Sequence, residues 1–538
     1  MDPGLEADER PSRSQRFLEF MVFHFRWVVV VPILLPLSFL FNVFFEIRNK
    51  LIYWINSAPN AHVRKVNYIQ EQIKNWNADG RRTKLVNARP GWLTMSFRYP
   101  LYKTDATKIA TDRLFDILEL DLEKMTIKAE PGVTMGQISR YLIPLGYTLP
   151  VLPELDDLTV GGLINGCGVE SGSFKHGMFQ HICTQYEVVT SDAELLQVFP
   201  DPVCDFPPAA KTKKSKEANS LFWAIPWSQG TLVFLTAATM KIIPCKKYVK
   251  LQYKKTNTLK EMCDVLTEDS KKKSSFDDVD FIEALLFTKD KGCIMLGEFS
   301  DGPDTHKEII NPIGRFYKKW FYTHVESIID NKIDKENPIA VEYIPLRDYY
   351  HRHSRSIFWE IRDIIPFGNN VIFRYLLGWL TPPKISFLKA TTPSCLRSMY
   401  DRSHVLQDML IPLENLQKCV ELFHEEVEIY PLWLCPFHLK SQPGLMKLRD
   451  VASKMYVDLG AYGVTYKKGY HAERTTRRLE EHVRKVNGFQ MTYADIYMTK
   501  EEYEDMFDLT LYEYKRTAHH CNDAFPHVYD KVRRSARR

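Results

Sequence analysis

The sequence lacks the patterns that mark the commonest metal, disulfide and nucleic-acid sites. Its ten cysteines contain no C-x-x-C pair and no regular spacing, which argues against a disulfide framework and a zinc site. The net charge is only +5 over 538 residues, so nothing favours nucleic-acid binding. We therefore expect a globular protein of two or three domains, with no metal and no nucleic-acid partner, in a reducing compartment.

Glycine is sparse, and it is concentrated in one place. Residues 159–177, TVGGLINGCGVESGSFKHG, hold six of the 24 glycines. Ser171 replaces the third glycine of G-x-G-x-x-G, and Met178 and Phe179 stand where a Walker loop needs Lys and Ser or Thr. Such a segment is typical of backbone at positive φ or in close approach to an anionic cofactor. The alternative is a surface loop without a ligand.

The segments around this loop carry a family resemblance. AEPGVTM and an amphipathic helix at residues 129–145 precede the loop, and EVVTSD at residues 187–192 and GTL at residues 230–232 follow it. In this order they resemble the FAD-binding domain of the vanillyl-alcohol-oxidase, or PCMH-type, flavoproteins over residues 67–245. The resemblance implies an α+β fold with a PCMH-type FAD-binding domain and a substrate (cap) domain built on an antiparallel sheet.

Longer strings resemble the sterol reductases within that family. They are NARPGWLT at residues 87–94, LPELDDLTVGG at 152–162, YYHRH at 349–353, IIPFGNN at 364–370 and AFP at 524–526. The resemblance implies an oxidoreductase of sterol metabolism that reduces the side-chain 24(25) double bond, as in the conversion of desmosterol to cholesterol. It also implies noncovalent FAD as cofactor and NADPH as hydride donor.

The resemblance assigns FAD binding to the first part of the glycine-rich loop. The residues carried over are Thr159, Val160, Gly161, Gly162, Leu163, Ile164, Asn165, Gly166, Cys167, Gly168, Val169, Glu170 and Ser171. Arg89 and Gly91 are expected to form a second contact with the pyrophosphate. Ala88, Ala193 and Val233 stand where glycine is common, and a Cβ there is expected to crowd the backbone.

The implied reaction needs an acid, because an isolated double bond offers hydride no electrophile. Protonation of the less substituted carbon gives a tertiary cation that hydride can trap, in a dry pocket. In the strand-like residues 455–462 a period of two places Asp458 and Tyr462 on one face. We predict Asp458 as the proton source, oriented by Tyr462. The alternatives are a structural pair of Asp458 with an arginine, and the similar face of Tyr493, Asp495 and Tyr497.

One long hydrophobic run lies near the start of the chain. Residues 27–45, WVVVVPILLPLSFLFNVFF, carry no formal charge. At about 1.5 Å per residue such a helix spans most of a bilayer core, which favours a single-pass transmembrane anchor over a cleaved signal. Pro32 and Pro36 leave a kinked or re-entrant insertion open. We expect the endoplasmic reticulum membrane, or the Golgi, with the catalytic part in the cytosol.

Several other segments allow two interpretations. Residues 371–380, VIFRYLLGWL, predict either a dip into the membrane interface or a buried helix. The lysine-rich residues 211–216 predict an exposed loop. His351 and His353, with the arginines around them, predict either a contact to NADPH or sterol or a solvated basic face. Residues 62–76 predict an amphipathic helix packed on the flavin domain.

The domain organisation expected from these patterns has five parts. They are a tail at 1–26, the anchor at 27–45, the FAD-binding domain at 60–245, the substrate domain at 246–485, and a C-terminal segment at 486–538 that returns to the flavin domain. Two other functions stay open at this point. One is an FAD-dependent oxidase of sugar acids or alcohols, and the other is a membrane sterol- or flavin-binding protein without turnover.

Overall fold

A computed structural model describes residues 12–55, 57–94, 98–200, 221–271, 279–303, 309–331, 338–448 and 453–537. The lysine-rich residues 211–216 lie outside the described residues. Within these ranges two antiparallel sheets dominate, one in each half of the chain. The expected α+β class is confirmed.

The first half is built on a five-stranded antiparallel sheet, called here the flavin-domain sheet. Its strands, in spatial order, are Ile117–Asp121, Thr126–Ala129, Phe234–Lys241, Cys183–Val189 and Leu195–Val198. Two short ladders accompany it: Leu85–Asn87 with Thr107–Ile109, and Tyr147–Thr148 with Ile243–Pro244. Ile127, Val188 and Ala238 are buried, so the strands contribute apolar side chains to the core beneath the helices.

The second half is built on an eight-stranded antiparallel sheet, called here the substrate-domain sheet. Its strands, in spatial order, are Ala340–Pro345, Tyr248–Thr256, Lys291–Ser300, Phe281–Thr288, Leu432–Lys440, Ser453–Val464, His404–Pro412 and Phe489–Gln490. Asp408 lies directly opposite Gly460 in the register of two central strands. Because opposite residues share a face and side chains alternate along a strand, Asp408, Asp458 and Tyr462 lie on one face.

Helices cover the sheets and form the N-terminal extension. The α-helices of the described residues are Arg13–Phe25, Trp27–Val29, Leu35–Ile55, Ala58–Ala78, Met135–Leu142, Val160–Asn165, Ser173–His176, Leu221–Ala224, Leu259–Lys271, Phe321–Asn331, Leu346–Tyr350, Ile361–Ile364, Val371–Leu376, Ile385–Thr391, Ser394–Ser403, Leu416–Glu426, Ala472–Lys485, Lys500–Met506, Thr510–Ala518, Cys521–Ala524 and Val528–Val532. In helix Ala58–Ala78 the residues Val66, Ile69 and Ile73 are buried. His62 of the same helix contacts Glu130 and Glu187 of the flavin domain at 2.7 Å, so the helix packs there as expected.

The apolar run near the N-terminus is helical from Trp27 to Ile55. One π-helical turn, Val30–Leu34, contains Pro32, and Pro36 stands in the first turn of the helix that follows. Both prolines lack a backbone N–H and so interrupt the hydrogen bonds of this continuous helix, and the π turn is located at this interruption. Within the described ranges this is one helix whose length and composition would allow it to cross a membrane.

The C-terminal segment contacts the flavin domain. The Tyr512 hydroxyl and the Thr231 hydroxyl lie 2.7 Å apart, and Arg516 donates to the Thr231 carbonyl at 2.9 Å. Lys531 donates to the carbonyl of Gln229. These contacts bring basic residues from the end of the chain towards the glycine-rich loop.

Candidate flavin and substrate site

The glycine-rich loop owes much of its glycine content to packing within the protein. A Cβ at Gly161 would stand 2.6 Å from Pro131 Cβ, and one at Gly168 would stand 2.8 Å from Phe179 Cβ. Within the loop, Gly177 has a positive φ of 81°, whereas none of the residues 159–171 does. At Gly161 and Gly168, glycine is needed because other protein atoms lie close to the backbone.

The loop has an inner and an outer side. Thr159 caps helix Val160–Asn165, accepting a hydrogen bond from Gly162 N at 3.3 Å. The inner residues are buried by protein atoms: Thr159, Val160, Leu163, Ile164, Gly168, Val169, Glu170 and Ser171. Gly162 is exposed, and Gly161, Asn165, Gly166 and Cys167 are half-buried. Of the thirteen residues predicted to bind FAD, these five form the accessible side.

Five basic residues lie around the start of the loop and are called here the cation cluster: Arg89, Lys103, Lys389, Lys531 and Arg537. Arg89 donates from Nη1 to Thr159 Oγ1 at 3.1 Å. Lys103 donates to the carbonyl oxygen of Arg89 at 2.6 Å, and Lys389 donates to the carbonyl oxygen of Thr94. The flavin domain, the substrate domain and the C-terminal segment each contribute to the cluster.

The charges of the cation cluster repel one another. Burial and then the charges of Arg89 and Lys108 lower the pKa of Lys103 to about 8. Burial and then Lys103 and Arg537 lower the pKa of Lys531 to about 7. Burial lowers the pKa of Lys389 to about 7, although the charge of Glu360 acts in the opposite direction, and Arg89 adds repulsion.

Arg89 Nε is also buried without a hydrogen-bond partner among the described residues. Buried like charges and an orphaned donor are both stabilised by an anion. The pyrophosphate of FAD is such an anion, and its negative charge fits a cluster of this composition. The residues present therefore fit the cofactor that the loop predicts, and the predicted contact at Arg89 lies within the cluster.

Two buried aspartates lie on the substrate-domain sheet and are called here the acid pair: Asp408 and Asp458. The hydroxyl of Tyr462 donates to Asp408 Oδ1. Gly460 lies between them, where a Cβ would stand 2.8 Å from Asp408 Oδ1 and would collide with the Tyr462 hydroxyl. The absence of a side chain at Gly460 thus allows Tyr462 to reach Asp408.

The acid pair is in an environment that favours protonated carboxyls. Burial raises the pKa of Asp408 to about 7, although the Tyr462 hydrogen bond acts in the opposite direction. Burial and then the charges of Asp408 and Glu154 raise the pKa of Asp458 well above its usual value. Both carboxyl oxygens of Asp458 are buried, and in the described part of the chain the group that interacts with them is the carboxyl of Asp408, with no arginine among their partners. The alternative of an arginine pair is therefore wrong for those residues.

The charges of the acid pair reach the glycine-rich loop. Burial and then the charges of Asp458 and Asp408 raise the pKa of the Cys167 thiol, so Cys167 is within electrostatic range of the two aspartates. The first part of the loop therefore connects Thr159, which contacts Arg89 of the cation cluster, with Cys167. Sequence reasoning missed Asp408, whose signal was the single acid in the mostly apolar strand His404–Pro412.

The histidine and arginine motif at residues 351–353 is internal, so the solvated basic face was wrong. Arg352 donates to Glu170 Oε1 and to Glu283 Oε1, both at 2.6 Å. His353 lies 3.1 Å from Glu283, and His351 lies 2.7 Å from Ser139 Oγ. These buried contacts leave the motif no surface at which to bind NADPH. They also connect the glycine-rich loop with the substrate-domain sheet.

Other predicted residues also have structural partners. Arg98 donates to both carboxyl oxygens of Asp495 at 3.0 Å and holds the pKa of this buried group below its usual value. Asp495 is therefore a poor proton donor.

Ala193 has a φ of 63°, and its carbonyl accepts from Gln70 at 2.8 Å. Ala193 therefore has the left-handed backbone that favours glycine, and it lies beside helix Ala58–Ala78.

The FAD domain predicted from the loop is also found by comparison. Residues 61–198 match a family model described as an FAD binding domain. Together with the cation cluster and the accessible side of the loop, the match defines the chain as an FAD-binding flavoprotein.

Similarity to individual proteins extends over almost the whole chain. The chain is 72% identical to the Delta(24)-sterol reductase homologue of Caenorhabditis elegans over 99% of each protein. It is 47% identical to the Delta(24)-sterol reductase of Homo sapiens over 97% of this chain and 96% of the human protein. For the pea (Pisum sativum) enzyme of the same name the identity is 33% over 98% and 94%. The chain belongs to the Delta(24)-sterol reductase family.

Proposed function

We propose that the protein reduces the 24(25) side-chain double bond of sterols, with FAD as cofactor and NADPH as reductant. Family membership supports the substrate class and the reductant. The observation that carries the chemistry is the buried acid pair on the substrate-domain sheet, in which Tyr462 holds Asp408 and the charges of both aspartates act on Cys167 of the glycine-rich loop. A protonated, buried carboxyl at this position is what the reduction of an unconjugated double bond requires.

Asp458 is the proton donor in this proposal. Its carboxyl proton goes to the less substituted carbon of the double bond, whose electron pair forms the new C–H bond. The tertiary cation left on the other carbon is then quenched by hydride, and Asp458 regains a proton from solvent. FAD held by the glycine-rich loop and the cation cluster would supply the hydride chemistry at this site, with NADPH as the reductant.

Tyr462 and the aromatic residues behind it hold this geometry. Tyr462 donates to Asp408, so the carboxyl of Asp408 stays oriented beside Asp458. Phe358 and Trp359 pack on Tyr462 with ring centroids 4.8 and 5.6 Å away, and Trp359 Nε1 donates to the Tyr462 carbonyl at 2.8 Å. This packing excludes water, which protects a cation from capture by solvent.

The membrane is the source of the substrate. The apolar N-terminal helix supports membrane association, and sterols are dissolved in lipid. We propose the endoplasmic reticulum membrane with the catalytic domains in the cytosol, where NADPH is available and cysteines stay reduced. The nine cysteines that the structure describes are all free, in keeping with this compartment.

The decisive experiment is a pair of anaerobic half-reactions. The protein is purified in detergent, its flavin spectrum is recorded, and NADPH is added before desmosterol. We expect bleaching by NADPH and reoxidation by the sterol, with one product molecule for each flavin. Flavin that NADPH leaves oxidised would contradict the proposal and favour a binding protein. Oxygen consumption with sugar acids or polyols, in place of reoxidation by the sterol, would favour an oxidase.

A further inference from the structure

The long N-terminal helix has contacts that a free bilayer-crossing anchor would not make. We propose that it lies along the folded domains and that, together with residues 367–379, it forms a single apolar surface inserted into one leaflet of the membrane. The protein would then be monotopic, with both termini on the same side. This replaces the single-pass topology that the hydrophobic run predicts.

The start and the middle of the helix are bound to the substrate domain. Arg26 donates from Nε to the carbonyl of Asp363 at 3.3 Å, and its Nη1 donates to the hydroxyl of Tyr400. Further along, Ser38 Oγ accepts from the backbone N–H of Lys384 at 2.9 Å.

The end of the helix is bound to the flavin domain. Arg48 pairs with Asp116 at 2.9 Å and lies over the ring of Phe115, 4.0 Å from its centroid. Glu46 pairs with Arg140, and the hydroxyl of Tyr53 accepts from Gln137 at 3.1 Å. Polar contacts to the domains therefore occur along its whole length.

These contacts are incompatible with a helix that crosses the bilayer. From Arg26 to Tyr53 the helix is about 40 Å long at about 1.5 Å per residue, more than the roughly 30 Å hydrocarbon core. If the two ends lay on opposite sides, charged groups such as Asp116 and Arg140 would have to pass the membrane with their domain. Charged side chains at such depth are costly. Both ends therefore lie on the side of the domains.

The outward face of the helix is a continuous apolar stripe. Leu37, Leu40, Phe44, Ile47, Leu51 and Trp54 are 47, 62, 63, 55, 53 and 83% exposed. Their spacing alternates between three and four residues, which places them on one side of an α-helix. The stripe continues beyond Glu46, where the uncharged run of the sequence ends. Glu46 and Arg48 point to the opposite side of the helix, where they pair with Arg140 and Asp116 of the flavin domain. A one-sided helix of this kind is typical of an interfacial position.

A second segment extends the same surface. In helix Val371–Leu376 the residues Ile372, Tyr375 and Leu376 are 66, 60 and 66% exposed, whereas Phe373 is buried. The buried-helix alternative for this segment was therefore wrong. Trp379 packs on Phe39 at 5.1 Å and Phe367 packs on Trp27 at 5.2 Å, between ring centroids.

The stripe and residues 367–379 are called here the apolar belt. Soluble proteins rarely expose so large a continuous apolar surface. The choice of lipid as its occupant rests on the proposed sterol substrate, which is itself dissolved in lipid. The belt also adjoins the site: residues 358 and 359, which pack on Tyr462, lead along the chain directly into it. A sterol leaving the leaflet there would have a short path to the acid pair.

Topology in intact microsomes tests the proposal. The full chain carries a glycosylation acceptor and an epitope before Arg13 and a second epitope after Arg537. We expect no glycosylation and loss of both epitopes to protease without detergent. A glycosylated or protected N-terminus combined with a digested C-terminus would show a spanning helix and overturn the proposal.

Vesicle binding of the full chain tests the belt itself. Ile372→Glu with Leu376→Glu is expected to lower flotation with phosphatidylcholine vesicles about tenfold. Leu195→Glu is the matched control, because Leu195 is an exposed leucine whose strand forms one edge of the flavin-domain sheet, and the N-terminal helix contacts Phe115 and Asp116 next to the strand at the opposite edge. Equal flotation of all variants would contradict the proposal. So would a protein that forms dimers through the apolar belt and does not bind the vesicles. Flavin content and turnover of desmosterol in detergent are measured in parallel, so that a failure of the proposed function is seen separately.

Discussion

Thr159 and Cys167 of the glycine-rich loop are close to buried groups of opposite sign, and the two groups respond to burial differently. At Thr159 the cation cluster holds Lys103 and Lys531, whose lowered pKa values of about 8 and 7 leave part of their charge at neutral pH. At Cys167 the acid pair holds Asp408 and Asp458, whose pKa values are raised. The first group needs an anion for its stabilisation, whereas the second becomes neutral by binding protons.

In a third buried group, Arg352 and its two glutamate partners, each charge is paired with a charge of opposite sign. Arg352 binds Glu170 and Glu283 at 2.6 Å, and Glu283 has a pKa held far below its usual range by Arg352 and His353 despite its burial. Such a network has no proton to give and no charge left over for a ligand. The comparison indicates that buried charged groups without a partner of opposite charge mark the functional parts of the loop. Buried ion pairs mark the residues that hold the loop against the substrate-domain sheet.

The largest expected effect is the loss of the proton donor. Asp458→Asn keeps the shape of the side chain but has no acidic proton, so kcat is expected to fall about 10²–10⁴-fold. Binding of FAD and its reduction by NADPH are expected to be unchanged, because the cation cluster is intact. Steady-state turnover and stopped-flow reduction separate the two steps. Turnover within threefold of the parent protein would remove Asp458 from the mechanism.

The next largest effect is expected from a substitution in the cation cluster. It should stabilise the apoprotein and weaken the binding of FAD. Lys531→Met removes one of the mutually repelling cations, so the melting temperature of the apoprotein is expected to rise. FAD loses an attractive charge, and its Kd is expected to rise about 10- to 100-fold, which is roughly 1.4 to 2.7 kcal/mol. Thermal unfolding and flavin fluorescence measure the two changes.

Lys500→Met, at a lysine whose side chain is 55% exposed, is the matched control and is expected to change neither quantity. An apoprotein destabilised by Lys531→Met, with FAD affinity unchanged, would mean that Lys531 is a structural residue. The cation cluster would then not be the pyrophosphate site.

The sequence was most informative where chemistry is local in the chain. The glycine-rich loop and the strings around it predicted the FAD-binding fold, and the period of two in residues 455–462 put Asp458 and Tyr462 on one face. The cation cluster was not predictable beyond Arg89, because Lys389 and Lys531 lie hundreds of residues away and reach the loop through tertiary packing. Asp408 was missed for the same reason, since its partner strand is set by the sheet register.

Misinterpretations of the sequence came from residues whose burial could not be foreseen. The basic residues at 351–353 are typical of a solvated face, yet two glutamates on distant elements stabilise them in the core. Residues 371–380 are apolar on every side of a helix, so composition could not distinguish the interior from a membrane surface. Exposure in the folded chain makes that distinction.

A smaller effect is expected from filling the space at Gly460. Gly460→Ala places a methyl group against Asp408 and the Tyr462 hydroxyl, so stability is expected to fall by about 1–3 kcal/mol. Turnover is expected to fall about tenfold, because Tyr462 can no longer orient the acid pair. Urea unfolding and kcat measure both effects. In the double variant with Tyr462→Phe the collision is partly relieved, so the combined loss is expected to be less than the sum. Strict additivity would contradict this contact.

The smallest expected effect is a shift in pH dependence. The hydroxyl of Tyr462 lowers the pKa of Asp408, so Tyr462→Phe is expected to raise that pKa above its present value of about 7. The alkaline fall of kcat, which reflects ionisation of the acid pair, should move up by roughly one pH unit.

Stability gives an independent measure of the same shift. Because the folded pKa of Asp408 exceeds its unfolded value near 3.8, stability is lost as pH rises from about 4 to about 7. In Tyr462→Phe this loss should continue to higher pH. Tyr456→Phe is the matched control on the same strand, since the Tyr456 hydroxyl donates to the Asn487 carbonyl at 2.8 Å and not to Asp408. If both variants shift the kcat profile equally, the effect belongs to the strand as a whole. A shift confined to Tyr462→Phe, in both kcat and stability, assigns the titration to the acid pair.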